Sequence, residues 1–169
     1  MLIRQEREQD YPEIHRLVAD AFAAAEHADG NEQELVAALR RGGAYVPELA
    51  LVAEKDGALA GHIMFTRAAV GTEPVLVLAP LSVRPEFQRQ GVGTALVKEG
   101  HRIARSLGHS YILVLGSERY YPRMGYRPAE QFGVAVPEGI PSANFMALRL
   151  WEDAAPLGGT VAYAPEFGL

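Results

Sequence analysis

The segment from Gln88 to Gly93 constrains this 169-residue chain more than any other, because it joins a strand-like apolar run to a long amphipathic helix pattern. The first N–H groups of a helix have no intrahelical partner and carry the positive end of the helix dipole. A glycine turn at that point lets a phosphate group approach them closely. The order strand, glycine turn, helix therefore predicts an α/β domain with an anion cradle at the start of the helix.

The glycine spacing excludes two common phosphate-binding motifs. A dinucleotide fingerprint would need a third glycine where Leu96 stands, and the Gly-Lys-Ser/Thr of a P-loop does not occur. The remaining pattern, Gln88-x-x-Gly91-x-Gly93, resembles the acyl-CoA-binding motif of the GNAT acetyltransferase superfamily.

A second motif follows about thirty residues downstream. The segment from Tyr121 to Tyr126 resembles the Tyr-x-x-x-Gly-Phe segment of the same superfamily, with Gly125 in the glycine position and Tyr126 in place of phenylalanine. The two motifs occur in the order typical of the superfamily, with a helix and a strand between them. On this basis the chain is identified as a member of that superfamily.

The resemblance implies a mixed α/β (α+β) fold, with a mixed and mostly antiparallel sheet of about six or seven strands flanked by about four helices. It also implies that the central strands part and admit acetyl-CoA, the cosubstrate, whose pantetheine arm would bind the backbone of Leu81 and Val83. The residues that it places in contact with CoA are Leu81, Val83, Gln88, Arg89, Gln90, Gly91, Val92, Gly93, Thr94 and Tyr121.

Acyl transfer to an amine needs a proton donor for the departing thiolate and a neutral attacking nitrogen. The resemblance implies that Tyr121 is the general acid, whereas Tyr120 is expected to be core or substrate wall. Many relatives carry a glutamate base on a central strand, but Val75 to Val83 contains no carboxylate. Three alternatives remain for the proton of the amine. A side chain elsewhere could accept it, a water chain could carry it to bulk solvent, or an already neutral amine could need no base. The candidates between the first two helices are Glu26, His27, Asp29 and Glu32, of which Glu32 is chosen as the base. His62 and Ser82 could instead orient a water.

Composition limits the class of protein. With 49% hydrophobic and 22% charged residues, residues 1–150 are expected to form one globular domain on which a tail, residues 151–169, packs. No stretch has the ~20 apolar residues of a membrane span, and the N-terminus is charged early, so a cytoplasmic protein without membrane contacts is expected.

The net charge and the absence of certain residue types exclude several kinds of ligand and mechanism. The net charge of −5 argues against nucleic-acid binding, although Arg84 and Arg89 flank the glycine turn; Arg102 and Arg105 are interpreted as solvated surface. The absence of cysteine excludes a cysteine acyl-enzyme, and no spacing of histidine or carboxylate implies a metal.

The spacing of apolar and turn-forming residues predicts where the helices, strands and turns lie. Asp10 and Glu13 have the spacing of a capping box, Asp56-Gly57 predicts a hairpin, and Pro80 predicts a bulge or an edge in its strand. The first predicted helix begins near Asp10. The other predicted helices cover Glu32 to Arg41, Gly91 to Leu107 and, as a short helix, Glu118 to Met124. The predicted strands are Leu2 to Gln5, Leu49 to Glu54, Ala58 to Val70, Val75 to Val83, Ser110 to Leu115 and Asn144 to Leu150.

These observations predict an N-acetyltransferase that passes an acetyl group from acetyl-CoA to a primary amine by direct attack in a ternary complex. The amine is a small molecule or a protein amino group. One alternative is a non-catalytic acyl-CoA sensor, which the missing strand glutamate favours and Tyr121 disfavours. Another is a binder of a different phosphate ligand. The resemblance is also compatible with a homodimer.

Overall fold

A computed structural model describes residues 1–23, Ala25 and 28–169. The described residues form three α-helices and one eight-stranded sheet in the order β1-β2-β3-β4-β5-β7-β6, with β8 paired to β3. The helices are α1 (Tyr11–Phe22), α2 (Glu32–Arg41) and α3 (Val92–Ser106). The strands are β1 (Leu2–Gln5), β2 (Tyr45–Lys55), β3 (Ala58–Val70), β4 (Glu73–Val83), β5 (Tyr111–Leu115), β6 (Arg127–Pro128), β7 (Phe145–Arg149) and β8 (Val161–Ala162).

The predicted mixed and mostly antiparallel sheet is confirmed, with small differences in the number of elements. The fourth predicted helix is a single 3₁₀ turn, Tyr121–Met124, because Gly125 follows in a left-handed conformation. The hairpin between β2 and β3 is also confirmed, since Asp56 and Gly57 have φ angles of 54° and 77°. None of the described helices has the length and apolar character to cross a bilayer.

The helices cover both faces of the sheet. On one face α3 buries Leu96 against Phe65 of β3, and on the other α1 and α2 bury Leu17 and Leu39 against Val52 of β2. These contacts follow from the alternation of a strand, which sends neighbouring side chains to opposite faces. Both faces of these central strands are therefore buried.

The interruption lies between β4 and β5, the parallel pair. Within the described sheet these strands pair at only two positions, Leu76 with Ile112 and Val77 with Leu113. Beyond them β4 continues to Val83 beside β3, with one additional residue opposite Met64 where Pro80 lies. The predicted irregularity at Pro80 is thus confirmed, and it accompanies the parting of the two strands.

The predicted capping box at the start of α1 is wrong. Asp10 makes no side-chain cap bond to α1. Its carboxylate instead accepts bonds of 2.7 and 2.9 Å from the Arg4 guanidinium and one of 2.8 Å from the Arg7 N–H. The Glu13 carboxylate accepts from the Leu59 N–H at 3.2 Å. Donors outside α1 therefore occupy both carboxylates in place of the hydrogen bonds of a capping box.

Residues 151–169 lie against the rest of the chain. Val161 pairs with Val70 through β8, and Leu157 is buried in the cluster that contains Phe145. The Tyr111 hydroxyl donates to the Ala155 carbonyl at 2.9 Å. This segment therefore covers the sheet at the end of β3 opposite to the gap.

Candidate active-site cleft

The glycine turn before α3 has the conformation that an anion cradle needs. Gly91 has a φ of 83°, and a Cβ placed on it would meet no atom within 4 Å, so the left-handed backbone alone requires glycine there. The first intrahelical hydrogen bond runs from Ala95 N to Gly91 O. The N–H groups of Val92, Gly93 and Thr94 therefore precede the helical bonding pattern and lie at the positive end of α3.

A cavity of about 330 Å³, here called the cradle cavity, opens in front of these groups. Most residues predicted to contact CoA line it: Leu81, Val83, Gln88, Arg89, Gly91, Val92, Gly93 and Thr94. The Gln90 side chain points elsewhere, since its amide nitrogen donates to the Glu86 carbonyl at 3.0 Å and its oxygen accepts from Lys55 at 2.7 Å. The Val92 side chain is buried, so this residue presents its backbone to the cavity.

Past Val77, one edge of β4 presents backbone groups to the cleft. The Arg84 N–H donates to the Ala60 carbonyl of β3. Because backbone groups along an antiparallel strand alternate in direction, those of Ser82 also point toward β3, and those of Leu81 and Val83 point away from it. The Gln88 side chain donates to the Val83 carbonyl at 3.2 Å, which confirms that direction. Because the pairing with β5 ends at Val77, an extended ligand can approach this edge as a neighbouring strand would.

A second cavity of about 550 Å³, here called the reaction cavity, lies in the gap between β4 and β5. It shares Phe22, Leu81 and Tyr120 with the cradle cavity, so the two form one cleft. Sequence reasoning did not identify Phe22, Leu35 or Leu115 as walls of this cleft. Their apolar character is equally typical of core residues, and only the parting of the strands assigns them to a cavity.

Tyr121 lines the reaction cavity, and its side chain is fixed by aromatic neighbours. Its ring lies edge-on to Tyr120 and Tyr126, with centroid distances of 5.0 and 5.5 Å. Its hydroxyl makes no hydrogen bond to any residue that the structure describes. Burial, followed by the adjacent Tyr120, raises the pKa of Tyr121 above its ordinary value. The phenol therefore keeps its proton at neutral pH and has that proton available for a ligand.

Tyr120 separates the two cavities, which agrees with its predicted role as a wall. Its hydroxyl lies 2.9 Å from the Thr94 hydroxyl on the first turn of α3. A Cβ on Gly93 would come within 3.2 Å of the same hydroxyl. The residues next to the two motifs are thus hydrogen-bonded to each other, a contact over 26 residues that local sequence patterns do not reveal.

The predicted base residues have different surroundings. Glu32 lines the reaction cavity, and its carboxylate oxygens accept from the N–H groups of Asp29 at 2.8 Å and Gly30 at 3.2 Å. The Asp29 side chain is exposed. Glu26 and His27 lie outside the described residues. Glu32 is therefore the candidate that both lines the cavity and has a defined orientation.

His62 belongs to a buried cluster with Glu6, here called the polar cluster, rather than to the cleft. Its Nε2 lies 2.9 Å from the Glu6 carboxylate, which also accepts from Arg40 at 2.8 Å and from the Tyr45 hydroxyl at 2.7 Å. The His62 Nδ1 and the hydroxyl of Ser82, its partner across β3 and β4, find no hydrogen-bond partner among the described residues.

The charge of Glu6 is stabilised by this cluster. Burial alone would raise the pKa of Glu6, but hydrogen bonds from His62, Arg40 and Tyr45 outweigh it and lower the pKa to about 2. Sequence reasoning missed Glu6, Arg40 and Tyr45, because their partners are 34 to 56 residues away along the chain.

The arginines near the turn differ in their availability. Arg84 donates to the Leu59 carbonyl at 2.7 Å and lies 3.5 Å from the Glu13 carboxylate, so its charge is largely compensated. Arg89 lines the cradle cavity. Arg102 is paired with Glu99 on the exposed side of α3, as the surface interpretation predicts. Arg89 is thus the arginine that contributes positive charge to the cradle cavity.

The described residues contain no group of three or more histidine or carboxylate side chains placed to hold a metal ion.

Comparison with known proteins gives a consistent result. A model of the Acetyltransferase (GNAT) family matches residues 6–126. The chain is 38% identical to the uncharacterized N-acetyltransferase YjhQ of Escherichia coli (strain K12), over 80% of this chain and 75% of the relative. It is 30% identical to the uncharacterized N-acetyltransferase YhbS of the same strain, over 99% of this chain and 98% of the relative.

Solved structures share the fold. A GNAT family acetyltransferase from Brucella melitensis in complex with acetyl-CoA matches with a TM-score of 0.82 and 34% identity, covering 98% of this chain and 97% of that one. The Escherichia coli YhbS structure in complex with CoA matches with a TM-score of 0.88 and 30% identity, covering 99% and 92%. With a family match over residues 6–126 and a sheet that parts beside the glycine turn, the chain belongs to the GNAT family of N-acetyltransferases.

Proposed function

We propose that this enzyme transfers the acetyl group of acetyl-CoA to a primary amine by direct attack, with both substrates bound in one ternary complex. The observation that carries the proposal is the continuous cleft from the start of α3 to Tyr121, formed where β4 and β5 stop pairing. Relatives with this fold have been solved with acetyl-CoA or CoA bound. The absence of cysteine leaves no thiol for a covalent acyl-enzyme.

The chain offers groups that fit the parts of CoA. The N–H groups of Val92, Gly93 and Thr94 would hold the pyrophosphate, with Arg89 as a nearby positive charge. The backbone of Leu81 and Val83, on the side of β4 that faces away from β3, would hydrogen-bond the pantetheine arm as a neighbouring strand would. Supporting this assignment, the cavity is open where a Cβ on Gly91 would stand.

Tyr121 would act as the general acid. Acetyl-CoA supplies the thioester, so that transfer forms a C–N bond to its carbonyl carbon and breaks the C–S bond. The Tyr121 hydroxyl would give its proton to the departing sulfur, and bulk water would later restore it. Its raised pKa keeps that proton in place until the sulfur becomes basic.

Glu32 would accept the proton that the amine loses. Its carboxylate lines the reaction cavity and accepts hydrogen bonds from two backbone N–H groups. Each oxygen keeps a further lone pair that can accept from an amine or from a bridging water. We expect Glu32→Gln to lower kcat/KM at neutral pH, because a carboxylate can accept a proton and a glutamine amide cannot. An unchanged pH–rate profile would assign the proton to water instead.

The test is acetyl-CoA-dependent release of free thiol across a panel of amines, with the acetylated product identified by mass. The protein contributes no thiol of its own to the assay. Amine-dependent release supports the transferase. Tight CoA binding without release for any monoamine, polyamine, aminoglycoside, amino acid or lysine peptide would contradict it.

A further inference from the structure

Two hydrogen bonds connect α3 to the segment that carries Tyr121. The Thr94 hydroxyl, on the first turn of α3, lies 2.9 Å from the Tyr120 hydroxyl. Two turns further along α3, the His101 Nε2 lies 2.9 Å from the Tyr126 hydroxyl. Residues seven apart in a helix face the same side of it, so one side of α3 contacts this segment both before and after Tyr121.

The rings of Tyr120 and Tyr126 pack against the ring of Tyr121. Their planes make angles of 76° and 72° with the plane of the Tyr121 ring. Gly116 also lies against this ring, and a Cβ on the glycine would overlap it. The Tyr121 ring therefore has little freedom to turn, and the position of its hydroxyl depends on where its two aromatic neighbours lie.

The two neighbours are held in different ways. Tyr126 is 1% exposed within the core, so packing fixes its ring in addition to the bond from His101. Tyr120 is half-buried and lines both the cradle cavity and the reaction cavity. A side chain with cavities on two sides has fewer packing contacts, so the hydrogen bond to Thr94 has a larger share in fixing the Tyr120 ring.

The location of Thr94 relates this arrangement to the cosubstrate. Its N–H belongs to the helix start that is proposed to hold the pyrophosphate, while its side chain meets Tyr120. The pantetheine arm has a fixed covalent length, so a pyrophosphate held at α3 limits where the thioester sulfur can lie. An acid that is fixed relative to the same helix stays within reach of that sulfur.

We propose that Tyr120 is a positioning residue, which through its hydrogen bond to Thr94 holds the Tyr121 hydroxyl beside the thioester sulfur. The inference rests on the proposed transferase function and adds a residue to it. Tyr120 exchanges no proton with the substrate in this role, because its hydroxyl is engaged with Thr94.

The test measures Tyr120→Phe in two backgrounds, with acetyl-CoA and the amine of the panel that reacts fastest. In the wild type it should lower kcat about fivefold and leave KM for acetyl-CoA within about twofold, since a loosened acid slows transfer without weakening binding. In the Tyr121→Phe background no acid remains to be positioned, so it should change kcat by less than about twofold. An equal loss of kcat in both backgrounds, or a change in KM alone, would overturn the inference.

Variants of Thr94 test the other end of the hydrogen bond. Thr94→Val removes the hydroxyl from a side chain of nearly the same shape and should lower kcat by about the same fivefold, whereas Thr94→Ser keeps the hydroxyl and should stay within about twofold of the wild type. Adding Thr94→Val to Tyr120→Phe should cause no further loss. Wild-type kcat in Thr94→Val, or an equal loss in Thr94→Ser, would contradict positioning through this bond.

Tyr111→Phe is the matched control for the loss of a tyrosine hydroxyl that is hydrogen-bonded within the fold. The Tyr111 hydroxyl donates to the Ala155 carbonyl at 2.9 Å, in the cluster that contains Leu157. This variant should leave kcat within about twofold. A loss as large as that of Tyr120→Phe would assign both effects to a general loosening of the fold and contradict the inference.

Failure of the inference can be distinguished from failure of the proposed function. If the wild type transfers acetyl groups and Tyr121→Phe keeps the wild-type kcat, the transferase stands but Tyr120 has no acid to position. If no amine of any class releases thiol while acetyl-CoA binds, as measured by calorimetry, both are wrong.

Discussion

The polar cluster of Glu6, Arg40, Tyr45 and His62 and the cleft beside β4 use polar groups in opposite ways. In the cluster, the Glu6 carboxylate accepts hydrogen bonds from three side chains and is wholly removed from water. In the cleft, backbone groups of β4 and α3 and the Tyr121 hydroxyl face a cavity. Polar groups that find partners within the chain stabilise the fold, whereas those that face a cavity are available to a ligand.

This comparison predicts a separation of effects. Changes to paired polar groups should lower the free energy of unfolding and spare CoA affinity. Changes in the cleft should affect CoA affinity or turnover and leave unfolding nearly unaltered. The variants below test that separation, beginning with the largest expected effect.

Glu6→Gln should have the largest effect, lowering the free energy of unfolding by about 3 to 5 kcal/mol at neutral pH, because Arg40 loses its carboxylate. Urea unfolding measures the loss, and CoA affinity should stay within about twofold. Glu54→Gln is the control, since the side chain of Glu54 is 40% exposed beside Arg4 and should cost at most about 1 kcal/mol.

The pH dependence of Glu6 gives a second readout. Its pKa is lowered to about 2, so its contribution is complete above the unfolded value and is lost as the pH falls through the folded one. Between pH 4.5 and 2 the wild type should therefore lose stability more steeply than Glu6→Gln. Parallel curves in that range would contradict the charged pairing of Glu6.

His101 should produce a pH dependence of similar size. It is buried with its Nε2 2.9 Å from the Tyr126 hydroxyl. Burial, followed by the charge of Arg105, lowers its pKa to about 4. The unfolded chain takes up a proton near the ordinary pKa of about 6.5, so the free energy of unfolding should fall by about 3 kcal/mol between pH 6.5 and pH 4.

Histidine NMR titration with unfolding at several pH values tests this prediction. His101→Gln should flatten the dependence over that range, while His15→Gln, at a half-exposed position, should leave it in place. A measured pKa near 6.5 for His101 would rule out the buried neutral histidine.

Tyr121→Phe should reduce kcat by about 10²-fold and leave CoA affinity and unfolding nearly unchanged, because it removes only the proton donor. Steady-state kinetics with calorimetric CoA binding separates the two effects. Tyr163→Phe, remote from the cleft, is the control. If Tyr120→Phe lost turnover instead, the acid role would belong to Tyr120.

Gly93→Val should have the smallest effect, weakening CoA binding by about tenfold, because a side chain would enter the space beside Tyr120 and Val83. The free energy of unfolding should change by less than about 1 kcal/mol. Gly43→Val is the control, at an exposed glycine with no atom within 4 Å of an added Cβ. Equal CoA affinity in both variants would refute the cradle assignment.

Local signals in the sequence were sufficient for the elements that frame the cleft. The hairpin at Asp56-Gly57, the left-handed Gly91 before α3 and the end of α3 near Gly108 all occur where the sequence predicts them. Each depends on the conformational freedom of a few adjacent residues. The Asp10 capping box was wrong because Arg4, on another element, supplied a stronger partner.

The sequence by itself determined the order of strand, glycine turn and helix, the second motif at Tyr121 and thereby the family. Only the tertiary structure decided which polar groups remain free. It paired His62 with Glu6 across 56 residues, bonded Tyr120 to Thr94 and ended the β4–β5 ladder at Val77. The physical reason is that a turn or a helix start is set by neighbouring residues, whereas a hydrogen-bond partner or a cavity wall is set by packing between distant segments.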